Sequence, residues 1–176
     1  MRLKFCLAAL AATTAFASPA FAQVVATDTA TAEARGLVLL PLTLTKVDDL
    51  DFGTVVASAV AGNVVIDPDT GARTGSAGVT LVASAPGQRA VFAGAGTSTQ
   101  VVNLTLTPPV GMVLNSGPNS LVINSLSLDS VAAPTGSVTI NASGAFTVGV
   151  GGDFAIGGNQ PNGLYAADFD LTADYL

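Results

Sequence analysis

The stretch Gly163–Leu176, G-L-Y-A-A-D-F-D-L-T-A-D-Y-L, decides the fold class. Tyr165, Ala167, Phe169, Leu171, Ala173 and Tyr175 fall on one face; after Leu164, Ala166, Asp168, Asp170, Thr172 and Asp174 fall on the other. Alternation of this kind, one face apolar and one acidic, marks a strand half buried in a sheet. The strand runs into Tyr175-Leu176 with no further residues to cover it, so the expectation is a sheet completed from outside.

The same reading extends back along the chain. After Gly36, L-V-L-L-P-L-T-L-T-K and V-D-D-L-D-F-G-T-V-V-A are β-rich, with Leu42, Leu44, Leu50 and Phe52 alternating against polar neighbours. Pro41 suits an edge strand, because it cannot donate to a ladder. Further strands are expected over 63–66, 79–83, 90–94, 101–107, 112–114, 120–128, 138–141 and 146–150. Turn signals separate them at Asp67-Pro68-Asp69-Thr70-Gly71, Ala85-Pro86-Gly87, Thr107-Pro108-Pro109, Ser116-Gly117-Pro118-Asn119 and Asn162-Gly163. Many short strands at this spacing, with no helical periodicity beyond the first residues, predict an all-β sandwich in one domain over 35–176.

The first 22 residues read as a secretory signal peptide. Arg2 and Lys4 precede an apolar run from Phe5 to Ala17, and Ala20-Phe21-Ala22 is a small-x-small cleavage site; a second such site lies at Ala15-Phe16-Ala17. The run is too short for a bilayer span of about 20 residues. The expected location is export through the inner membrane to the periplasm, then the cell surface. Residues 23–34, Q-V-V-A-T-D-T-A-T-A-E-A, form an Ala/Thr-rich extension, either a tail or a loosely held strand.

Composition narrows the chemistry. Histidine is absent and the single cysteine, Cys6, lies in the leader, which removes the commonest general base, the thiol nucleophile and the usual zinc ligands. Stability must therefore come from the core rather than from disulfides. Six basic residues against twelve acidic ones, two of the six in the leader, disfavour a nucleic-acid partner. Asp48, Asp49 and Asp51 read as a solvated turn beside inward Leu50 and Phe52. Asp67–Gly71 lacks the distal glutamate of a calcium loop and reads as a hairpin turn. One glycine-rich Gly149–Asp153 cannot make a stacked calcium site, so its glycines read as a turn or bulge. No catalytic, cofactor-binding or metal-binding residue is expected, and the chain reads as a non-enzyme.

Four segments carry a resemblance: Pro41–Ala57 (P-L-T-L-T-K-V-D-D-L-D-F-G-T-V-V-A), Val64–Gly75 (V-V-I-D-P-D-T-G-A-R-T-G), Gly78–Val82 and Ile156–Tyr175. In this order they resemble the bacterial family catalogued as domain of unknown function 4402. That family is similar to spore-coat-U-like proteins and chaperone-usher pilin subunits. The resemblance implies an immunoglobulin-like, pilin-like sandwich lacking its last strand, completed first by a periplasmic chaperone at an outer-membrane usher and then by the amino-terminal extension of the next subunit. It also implies Tyr165, Phe169, Leu171, Tyr175 and Leu176 as partner-binding residues. The small Val24, Ala26, Ala30 and Ala32, with Asp28 in register, make 23–34 a thin donor.

A cleft wetting about five large apolar side chains forfeits roughly 7–15 kcal/mol, as much as the roughly 5–15 kcal/mol that holds a domain folded. An incomplete sandwich would therefore fold only with its partner. Three functions remain open: a structural subunit of a surface fibre or coat assembled by strand complementation, a self-complete secreted binding or adhesion module, and a small outer-membrane barrel. Leu176 is out of phase with the apolar face of the last strand, which disfavours the barrel.

Overall fold

In the computed structural model, residues 27–129 and 133–176 are described. The expected signal peptide, residues 1–22, and residues 23–26 of the expected extension lie outside the described residues. Contacts divide the chain into two units, Met1–Gly36 and Leu37–Leu176. Within the first, residues 27–36 are exposed and without regular secondary structure; Arg35 donates to Glu33 at 2.7 Å.

The regular elements of the second unit are nearly all strands, as the alternating sequence requires: β1 Thr43–Asp48, β2 Val55–Ala57, β3 Gly62–Ile66, β4 Arg73–Gly75, β5 Val79–Leu81 and β6 Ala90–Ala95, then β7 Val101–Thr107, β8 Val113–Ser116, β9 Asn119–Leu128, β10 Thr135–Thr139, β11 Ala145–Ile156 and β12 Asp170–Tyr175. All pairings are antiparallel. The large sheet is built on β11. One flank of β11 pairs with β6 and then β3, extended by β1 and β4; the other pairs with β9, extended by β8. A second sheet has the order β10-β7-β12, and β2 with β5 forms a small third. Among the described residues these sheets have free edges.

Alternation sets the core. On β7 every second residue, Val102, Leu104 and Leu106, is buried, while its neighbours face solvent. They pack with Phe92, Phe146, Val148, Ile123 and Leu128 across the sandwich. A second cluster, Val64, Leu121, Phe154 and Ile156, lies beneath the small sheet.

Several elements depart from the sequence reading; β4 is not among the expected strands, and β10 spans Thr135–Thr139 rather than 138–141. β11 continues to Ile156 rather than stopping at Val150, because its glycines serve close approach and not a turn: a Cβ on Gly151 would lie 2.3 Å from the Ile66 carbonyl oxygen. The expected bulge does exist nearby, as a register shift against β9 at Asp153/Phe154. Met112 belongs to a short 3-10 turn, Val110–Met112, and has φ +53°, so β8 begins one residue later. The last strand, expected over the whole of Gly163–Leu176, is regular only over Asp170–Tyr175. Before it, Ala166 makes an isolated bridge to Asn115 on β8, so the terminal segment leaves the edge of one sheet and joins the other.

The hairpin at Asp67 is as its residues require. Asp67 Oδ1 accepts from the Asp69 and Thr70 amides and the Thr70 hydroxyl, and Gly71 takes φ +73°. The Thr70 bonds, backbone first, hold the exposed Asp67 carboxyl below the usual aspartate range.

Candidate strand-binding groove

The two sheets differ in width. Three strands spaced about 4.8 Å apart cannot cover an inner face built on β1, β6, β11, β9 and β8. β1 pairs only with β6 and β12 only with β7, so among the described residues no strand lies between the outer edges of β1 and β12.

A groove opens along that seam. One part, about 320 Å³, has Leu44 and Leu50 on one wall, Phe169 and Leu171 on the other, and Ala90 and Phe92 as its floor. The next part, about 710 Å³, continues between Phe52–Val55 and Gly163–Phe169 over Leu121, Ile123, Leu126 and Phe154. Leu50, Ala167 and Phe169 line both parts, which makes them one channel. Aromatic edges key the walls to the floor: Phe169 meets Phe92 edge-on at 6.1 Å, and Phe52 meets Phe154 at 4.4 Å.

Burial reports the same gap. Inward residues of β6, β7, β9 and β11 are covered, whereas Leu44 on β1 and Leu171, Ala173 and Tyr175 on β12 remain half exposed, although they pack on the same core. The backbone of β12 is equally unfinished. Leu176 N–H donates to the Val101 carbonyl at 3.0 Å. Along an antiparallel ladder the bonded pairs alternate, so Thr172 and Asp174 turn their amides to β7, and Leu171 and Ala173 turn theirs to the open edge.

The sequence-derived residues fall at three places. Tyr165, Phe169 and Leu171 line the groove. Tyr165 is fixed there by its hydroxyl, which donates to the Pro161 carbonyl at 2.7 Å and accepts from Gln160 Nε2 at 2.9 Å. Tyr175 stands beyond the end of the cavity, and Leu176, 78% exposed, lies outside it. The floor residues Phe92, Leu121, Ile123 and Phe154 were not legible as a site, since alternation marks them only as core.

The lip of the groove is polar. Lys46 Nζ lies 2.5 Å from Asp49 Oδ1; that hydrogen bond, with the charges of Asp49 and then Asp168, holds the ammonium above its usual range. Among the described residues no group of three histidine, cysteine, aspartate or glutamate side chains could hold a metal ion. The chemistry on offer is a trough with an apolar floor, a polar lip and a strand edge beside it.

These features define a class, the all-β, sandwich-like domain of antiparallel sheets with a groove between the β1 and β12 edges. The chain belongs to the family described as a domain of unknown function, 4402, whose model matches residues 42–175. No curated protein and no solved structure matches it.

Proposed function

We propose that this chain is an exported structural subunit of a surface fibre or coat, assembled when an extended strand of a second copy fills the groove between β1 and β12. The observation that carries the reading is the edge of β12, where half-buried Leu171 and Ala173 combine an incomplete apolar surface with open backbone hydrogen-bonding groups. Strand addition satisfies both at once: main-chain bonds supply affinity, and pockets for alternate side chains supply register. Residues 27–36 support the reading as a source of the strand, being extended in sequence ahead of β1 and unpaired. So do Leu37 and Val38, large apolar residues left 76 and 92% exposed. A periplasmic chaperone and an outer-membrane usher are the accessory partners such a subunit requires before its neighbour arrives. The chain then has no catalytic role, and its site of action is the cell surface.

The test is electrophoresis of the secreted chain, residues 23–176, without boiling. Strand exchange yields a ladder of multimers that collapses to one band on heating, and removal of residues 23–34 abolishes the ladder if the donor lies there. A stable monomer that unfolds cooperatively at every concentration overturns the proposal.

A further inference from the structure

The groove has unlike ends. At one end it reaches Gly163–Tyr165; toward Tyr175 the cavity stops at Leu44 and Leu171. Beyond that stop stands a hydrogen-bonded junction. The Tyr175 hydroxyl donates to the Leu40 carbonyl at 2.8 Å and accepts from the Thr97 amide at 2.7 Å. Thr97 Oγ1 in turn accepts from the Leu40 amide at 2.7 Å. The last strand, the segment entering β1 and the turn between β6 and β7 are thus tied at one point. Gly96 makes room for it: a Cβ there would lie 2.3 Å from the Tyr175 hydroxyl oxygen.

From this geometry we infer that Tyr175 is a positioning residue, a latch that blocks one end of the groove and sets the register of the strand lying in it. This inference rests on the strand-complementation reading. Its physical need is clear from side-chain periodicity. A slip of one residue turns the apolar face of an incoming strand outward and is opposed by burial; a slip of two keeps the face and is opposed only weakly. Apart from Asp28, the side chains of the Ala/Thr segment 26–32 barely differ from one pair to the next. Pockets then read little beyond Asp28, and a fixed end sharpens the register.

The experiment uses the secreted chain, residues 23–176, carrying Leu171→Cys as its sole cysteine. It is mixed with synthetic peptides of residues 27–40 that each bear one cysteine at successive positions, and disulfides are mapped by mass spectrometry. With Tyr175 present, cross-links concentrate on one peptide position. In Tyr175→Phe, which keeps the ring and loses only the hydroxyl, they divide at comparable yield between positions two residues apart, while far-ultraviolet dichroism is unchanged. If Tyr175→Phe does not fold, Thr97→Ala, which removes the acceptor of the Leu40 amide, gives the same division. An undivided, unshifted cross-link in the folded latch variant overturns the latch and leaves strand binding intact. No cross-link in any protein overturns strand binding, and the latch with it.

Discussion

At the scale of single residues, the groove owes one of its walls to Arg73. Its guanidinium donates to the backbone carbonyls of Phe52 (3.0 Å), Thr54 (3.3 Å), Val82 (2.8 Å) and Ala85 (3.1 Å). The planar five-donor fork is what permits one side chain to serve two loops. Phe52–Thr54 line the groove, so the clamp shapes the site from behind. Removing a partner from half-buried carbonyls costs about 1–3 kcal/mol, and Arg73→Met is expected to lower unfolding stability by about 2–3 kcal/mol, measured by urea titration. Arg73→Lys should recover little of this, because an ammonium cannot reach both loops in the fork geometry. The sequence displayed Arg73 only as a charge beside a turn. Its partners are backbone atoms 9 to 21 positions away, and no side-chain pattern announces them.

At the scale of elements, alternation was a faithful guide wherever a strand had one face on the core. β7 and β12 show it residue by residue, with Val102, Leu104 and Leu106 covered and Leu171, Ala173 and Tyr175 turned inward. It failed on β11, which is buried on both faces from Val148 to Gly152 and so does not alternate. Its glycines, turn signals by composition, are there because the Ile66–Pro68 backbone crosses above them. Beside Gly151, the Ile66 oxygen and the Pro68 nitrogen lie 2.3 and 2.6 Å from where a Cβ would sit, and neither can swing aside as a side-chain end would. Overpacking of a rigid contact costs about 1–3 kcal/mol, occasionally more. Gly151→Ala is accordingly expected to lose about 3 kcal/mol in chemical denaturation, while Gly117→Ala, with open space around it, pays only for its φ of +57°. Equal losses at the two positions would remove the close-approach explanation.

At the scale of the whole molecule, what was legible and what was not separate along one line. Inward faces are local and can be read from the chain; which edges remain free depends on long-range pairing and cannot. β1 pairs with β6 on one edge and, among the described residues, no pairing joins its other edge to β12. This arrangement has a thermodynamic signature. A strand supplied by a second copy stabilises the native state by mass action, by RT ln(1 + [L]/Kd), so that each tenfold rise in chain concentration above Kd adds about 1.4 kcal/mol. With a urea slope of about 1–3 kcal/mol per molar for small domains, the unfolding midpoint of residues 23–176 should rise by roughly 0.5–1.4 M per decade. Removing the donor strand should flatten that dependence and lower the midpoint at the same time, because the half-exposed Leu44 and Leu171 then stay wet. A midpoint constant over a hundredfold concentration range would mean that the sandwich is stable without a second chain, leaving the groove to serve as a pocket for something other than its own kind.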